Sequence, residues 1–92
     1  MVKFYVANDG VHKYVAEFVN PHQLVRFGAF GYEDYTQHGD SHRKNLYLNR
    51  HRAREDWNDP RTAGALSRWI LWNKPNLQES ITDYKRRFHM YY

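Results

Sequence analysis

Residues 2–28 hold three short runs of β-branched and aromatic side chains, each followed by a strong turn signal, and this punctuation leaves few folds open. Val2-Lys3-Phe4-Tyr5-Val6 suits a strand, where bulky side chains pack well on a pleated surface. Asn8-Asp9-Gly10 tolerates positive φ and predicts a tight reversal. From His12 to Val19, Tyr14, Ala16 and Phe18 alternate with Lys13, Val15, Glu17 and Val19, the period of two that marks a half-buried strand. Asn20-Pro21 breaks that run, and Leu24-Val25-Arg26-Phe27 forms a third. The reading is a three-stranded antiparallel meander over about residues 2–28. Such a sheet is stable only with one face covered, so the rest of the chain must supply the cover.

Gly28-Ala29-Phe30-Gly31-Tyr32-Glu33-Asp34-Tyr35 reads as a linking segment, its glycines permitting turns and its rings expected to pack over the sheet edge. Three helices follow. Asp40 or Ser41 is the expected cap of the first, which should run to about Arg54. Asp59-Pro60 offers an N-cap and a proline at the first helical position for the second, with Leu66, Trp69 and Ile70 on one side. Asn73-Lys74-Pro75 ends it. Asn76 and Glu79 resemble a capping box for the third, in which Leu77, Ile81, Tyr84 and Phe88 form a stripe at helical spacing. The expected architecture is α+β, a single small domain over residues 1–92.

Composition narrows the function. The chain has 92 residues and no cysteine, so a disulfide and a thiolate metal site are both excluded. No apolar run approaches the roughly 18 residues of a membrane span. The start carries no signal-peptide pattern, so the expectation is a cytosolic, nuclear or packaged protein. Aromatics make up 17% of the residues, enough to build a small core and leave rings for a partner. The pI is about 9.5, and the positive charge belongs to the second half. Residues 1–40 carry three Lys/Arg against five Asp/Glu, whereas residues 41–92 carry eleven against five. A basic field attracts polyanions or acidic protein surfaces.

The densest cluster runs from His42 to Arg54. As a helix it places Arg43, Arg50 and Arg54 close to one face, which could lie along phosphates or against an acidic protein, or could simply be solvated. His38, Asp40, His42 and His51 invite a metal reading, but no paired ligand motif accompanies them, and scattered histidines in a polar chain usually serve surface or capping roles. His38, Asn49 and His51 lack the preceding hairpin that a His-Asn-His nuclease needs. No nucleophile elbow, phosphate loop or dinucleotide fingerprint is present. Glu33-Asp34 and Glu55-Asp56 are adjacent pairs whose side chains diverge, which makes them poor acid/base partners. Trp69 reads as core. Trp72, about 60° from it around the helix, reads as bordering the core, and Trp57 as a staple at the next helix entry. The end Phe88-His89-Met90-Tyr91-Tyr92 is unusually apolar for a terminus and reads as a docking segment. No catalytic residue, cofactor or metal ligand is assigned.

Four blocks carry a resemblance: Phe27-Gly28-Ala29-Phe30-Gly31-Tyr32-Glu33-Asp34-Tyr35-Thr36-Gln37-His38; the stretch from Arg43 through His51 to Glu55-Asp56-Trp57; Asp59 through Pro75; and Tyr84-Lys85-Arg86-Arg87-Phe88. Over about residues 24–88 the chain resembles small, basic, uncharacterised proteins that recur in nucleocytoplasmic large DNA viruses. The resemblance implies a context, the virion and the infected cell's cytoplasm during assembly, and carries no catalytic residues with it. The expectation is therefore a non-enzymatic minor capsid or cementing protein that bridges larger subunits, the major capsid protein or other virion proteins. Arg43, Lys44, Arg50, Arg52, Arg54, Lys85, Arg86 and Arg87 would meet acidic neighbours, with Trp57, Trp72, Tyr91 and Tyr92 as anchors. The alternative is a nucleic-acid-binding protein, with DNA as a possible partner, that uses the basic helix 42–54.

Overall fold

In the computed structural model, which describes residues 2–90, the chain lays four helices over one three-stranded sheet. Strands β1 (Val2–Val6), β2 (His12–Phe18) and β3 (Gln23–Ala29) pair antiparallel in the order β1-β2-β3. Val2 faces Phe18 and Phe4 faces Ala16, while Ala16 faces Val25 and Tyr14 faces Phe27. This register puts Val2, Ala16, Phe18 and Phe27 on one buried face, as the alternation requires.

Side chains hold the two turns. Asp9 Oδ1 accepts from the backbone N–H groups of Val11 and His12, around Gly10 at φ 72°. Those backbone bonds, that of His12 first, and the His12 ring hold the Asp9 carboxyl well below the usual carboxylate range. At the second turn Asn20 stands at φ 57° before a cis Pro21. Arg61 reaches across from the helical layer and donates to the carbonyls of Val19 and Pro21, its guanidinium 4.7 Å from the Phe18 ring centre.

The helices are α1 (Tyr35–His38), α2 (Ser41–His51), α3 (Ala63–Leu66), which continues into a π-helical turn over Ser67–Leu71, and α4 (Leu77–Arg87). Leu66, Ile70 and Leu71 of α3 and its π-turn, with Tyr84 of α4, complete the core. Burying such side chains stabilises the fold by about 1.5–3 kcal/mol each. Phe4 stands edge-on to both Phe27 and Tyr84, at 6.3 and 5.9 Å between ring centres. The stripe read in α4 packs on this core through Leu77, Ile81, Tyr84 and Phe88, and Asn76 caps the helix by accepting from Glu79 N–H.

Three boundaries differ from the sequence reading. Helix α2 stops at His51, not near Arg54. The chain turns there so that the Glu55 stem lies against Gly64, where a Cβ would stand 2.9–3.1 Å from the Glu55 side chain. The second helix is capped by Thr62 rather than Asp59, the Thr62 hydroxyl accepting from Ala65 N–H. Asp59 closes the preceding turn, and the Pro60 carbonyl is taken by Tyr84 Oη–H at 2.6 Å. The linking segment contains an unforeseen helical turn, α1. Its capping box is explicit, with Asp34 accepting from Thr36 N–H while Gln37 Oε1 accepts from Asp34 N–H. Buried Asp34 also receives Lys13 Nζ at 2.5 Å, from β2. The Asp34-Tyr35-Thr36-Gln37 motif is thus a clamp between linker and sheet.

Candidate interaction faces

Helix α2 is a wedge whose inner edge is aromatic. The Tyr47 ring lies between His51, at 4.1 Å, and Trp72, at 4.3 Å and nearly parallel. His38 follows at 5.4 Å from Trp72. The π-turn places Trp72 there: its N–H bonds back five residues to the Ser67 carbonyl, a widened turn of the kind often found at functional sites. Burial pushes the Tyr47 phenol far above its ordinary pKa.

Two of the histidines singled out in the sequence, His38 and His51, have ring partners, although His38 Nε2 is buried with no hydrogen-bond partner among the described residues. His38 Nδ1 accepts from Asp40 N–H, Asp40 caps α2 by accepting from His42 and Arg43 N–H, and His51 pairs with Glu55 at 3.0 Å. Among the described residues no group of three His, Asp or Glu stands close enough to hold a metal ion.

The wedge divides the basic residues between two faces. On one flank Arg43, Leu46 and Arg50 face β3 and the linker across a groove of about 690 Å³. Gly28, Tyr32, Gly64, Leu71 and Trp72 also line it. Its mouth is unusually apolar: Val11 is 62% exposed, Tyr32 74% and Leu46 48%, with Phe30 beside them at 64%. Phe30 and Tyr32 therefore do not pack over the sheet edge, whereas Tyr35 of the same segment is half-buried. Gly28 at φ 81° and Gly31 at φ 89° turn the chain so that Phe30 and Tyr32 project outward. Arg26, Arg43 and Arg50 rim the groove. Arg43 reaches exposed Glu33 at 3.3 Å and Arg26 reaches Asp9 at 3.7 Å. Surface pairs of this kind are weak and can be exchanged for a partner's acids.

On the other flank Lys44 approaches the π-turn and α4. Lys44 Nζ donates to the Asn73 carbonyl and lies 4.8 Å from the Tyr35 ring centre. Asn73 Nδ2 donates to Asp83, which also pairs with Arg87 at 3.3 Å. Arg68 is held over Trp69 at 4.1 Å and over Trp57 at 5.4 Å, and Arg87 lies over Trp69 at 3.7 Å.

Neither Trp57 nor Trp72 is a free ring. Trp57 is half-buried under Arg68 and donates to Glu55, and its carbonyl accepts from Trp69 Nε1. Trp69, read as core, is half-buried at the core edge beneath two guanidiniums. Arg52, Arg54 and Arg86 are exposed, and Lys85 is half-buried. Arg54 lies beyond the helix, so it shares no helical face with Arg43 and Arg50. Tyr91 and Tyr92 lie outside the described residues. The sequence reading passed over Arg68, although Trp69 and Trp72 stand close by in the chain. Its role depends on Arg87 of α4, nineteen positions away, and no local spacing reveals it.

The fold is that of a small α+β domain, and no helix among its described residues is long and apolar enough to cross a membrane. The chain belongs to DUF5754, a family of unknown function, which it matches over residues 2–51, the stretch holding the sheet, the linker clamp and α2. No curated protein and no solved structure matches it.

Proposed function

We propose that this protein is a non-enzymatic structural component of a larger particle, gripping an acidic segment of a neighbouring protein in the groove between α2 and β3. The observation that carries the reading is the combination at that groove: Val11, Tyr32 and Leu46 exposed at its mouth and Arg26, Arg43 and Arg50 around its rim. Exposed apolar surface framed by polar residues is typical of protein-binding sites, and basic rims steer acidic partners toward them. Its resemblance over residues 24–88 to small proteins of large DNA viruses supports a particular form of this role, a minor capsid or cementing protein in the virion.

A photo-crosslinking amino acid placed at Tyr32 or Leu46 tests it in virions assembled with the labelled protein. The expected result is one dominant crosslink to a capsid or other virion protein, reduced by Arg43→Glu combined with Arg50→Glu. Absence of the protein from protease-treated particles would overturn the virion role, and crosslinks scattered over many unrelated proteins would overturn the groove.

A second reading, nucleic-acid binding through residues 42–54, draws support from Arg50, Arg52 and Arg54, which form no ion pair among the described residues. It predicts log affinity falling linearly with log salt.

A further inference from the structure

Outside the lining of the groove, several cations are held at close quarters. Arg68 and Arg87 both lie over the Trp69 ring, at 4.1 and 3.7 Å. Their guanidinium carbons are therefore within about 8 Å of each other, the sum of the two distances, inside one Debye length at physiological salt. Lys44 reaches the same place through the Asn73 carbonyl, and Lys74 follows Asn73 in the chain. Like-charged neighbours depress one another here. Burial first, then Arg68 and Lys74, lower the Lys44 ammonium, and burial first, then Arg87, with Arg52 contributing less, lowers the Arg68 guanidinium.

Asp83 is the carboxylate that stands among them, and it is already bonded by Asn73 Nδ2 and by Arg87. Arg68 has Trp57 and Trp69 against its faces and donates from Nη1 to the Trp72 carbonyl. Its Nε is enclosed with no hydrogen-bond partner among the described residues. A guanidinium has five N–H donors; with Nε sealed from solvent, the Nη groups are the ones a ligand can meet. Arg68, Lys74 and Arg87 thus share one carboxylate, Asp83, while rings and backbone carbonyls hold Arg68 and Lys44 in place, and the cluster keeps a net positive charge.

We propose that Arg68 and Arg87, fixed on Trp69 beside Lys44 and Lys74, bind the phosphates of a single-stranded nucleic acid. Several cations around one place suit an anion with several oxygens, and guanidinium forks match phosphate geometry. The indoles are covered by the guanidiniums, but the exposed guanidinium of Arg87 is itself a surface on which an unpaired base can stack. This site lies on the flank of α2 away from the groove, so it stands or falls separately from the protein-docking reading.

The test is fluorescence anisotropy of the full-length protein with a labelled mixed-sequence single-stranded oligonucleotide, over a salt series. Arg68→Met with Arg87→Met is expected to weaken binding about tenfold or more and to make the log–log salt slope shallower by about 0.7 for each phosphate no longer neutralised. Exposed Lys74→Gln with Arg87→Gln keeps the experiment informative if the Arg68 variant fails to fold, and should weaken binding several-fold. Arg43→Met with Arg50→Met, on the groove flank, should change affinity less than twofold. Inorganic phosphate at high concentration should compete, and a poly-glutamate peptide at equal charge should compete poorly. No binding at low salt, weakening only in the Arg43/Arg50 variant, or equal competition by poly-glutamate would each overturn the proposal.

Discussion

Tyr84 is the side chain on which the helical layer turns, and replacing it gives the sharpest test of the packing described above. Its ring is fully buried between Phe4 and Phe88, at 5.9 and 5.1 Å, and its hydroxyl donates to the Pro60 carbonyl at 2.6 Å. Tyr84→Phe keeps both ring contacts and deletes only the hydrogen bond, leaving the Pro60 carbonyl without that donor. Losing a buried hydrogen bond and stranding its partner costs about 1–3 kcal/mol. For a domain of this size each kcal/mol lowers Tm by roughly 4–8 °C, so a loss of about 1.5 kcal/mol corresponds to a fall of about 6–12 °C. Tyr84→Leu also removes two aromatic pairs, each worth about 0.5–1.5 kcal/mol, and leaves a void, for a total of about 3–5 kcal/mol. Thermal melts and urea titrations followed by tryptophan fluorescence measure both, with an unchanged urea m-value as the sign that the same surface unfolds. A Tyr84→Phe protein melting within about 1 °C of the parent would refute the claim that the Tyr84–Pro60 bond holds the helical layer together.

Two further outcomes follow from the geometry. At Gly28, φ is 81° and a Cβ would stand 2.8 Å from Leu71 Cδ1 and 3.1 Å from Lys13 Cβ. Gly28→Ala should therefore lose about 2–4 kcal/mol from backbone strain and overpacking together, and a urea midpoint equal to the parent's would contradict the close approach of the π-turn to β3. For pH, the folded-state pKa values of Asp9, Glu17, Asp40 and Asp83 are lowered: backbone bonds dominate for Asp9 and Asp40, the His22 bond for Glu17, and the Asn73 and Arg87 contacts outweigh burial for Asp83. A lowered carboxylate contributes stability that is complete above its unfolded pKa and lost as pH falls through the folded one. Tm should thus be flat near neutrality and fall below about pH 4. Tyr14 and Tyr47 are raised, chiefly by burial; their contribution is complete below about pH 10 and lost above it. A Tm that rises on acidification from pH 5 to 3 would contradict these assignments.

The two faces of α2 give its family a concrete question. The match over residues 2–51 includes Arg43, Leu46 and Arg50 of the groove flank together with Lys44 of the other, but stops short of Trp57, Arg68, Trp69 and Arg87. The exposed apolar mouth and basic rim of the groove lie within the matched segment, although Gly64, Leu71 and Trp72 of its lining do not, and the cation cluster needs the π-turn and α4.

What the sequence determined by itself is whatever rests on neighbours along the chain. Alternation at a period of two marked the strands, Asn8-Asp9-Gly10 and Asn20-Pro21 marked the turns, and the spacing of Leu77, Ile81, Tyr84 and Phe88 marked the buried stripe of α4. The absence of cysteine excluded disulfides outright. The Asp34/Gln37 box was equally local and was there to be read. Tertiary structure alone decided the rest. Helix α2 ends at His51, beyond which Glu55 lies against Gly64, and Thr62 rather than Asp59 caps the next helix while Tyr84 takes the Pro60 carbonyl. Of the charges that look like one basic face, Arg43 and Arg50 line the groove, whereas Arg54 lies beyond the helix end. Arg68 and Arg87, nineteen positions apart, meet over one indole. Periodicity records which side of an element a residue occupies, but which other element arrives on that side is fixed only when the chain closes around its core.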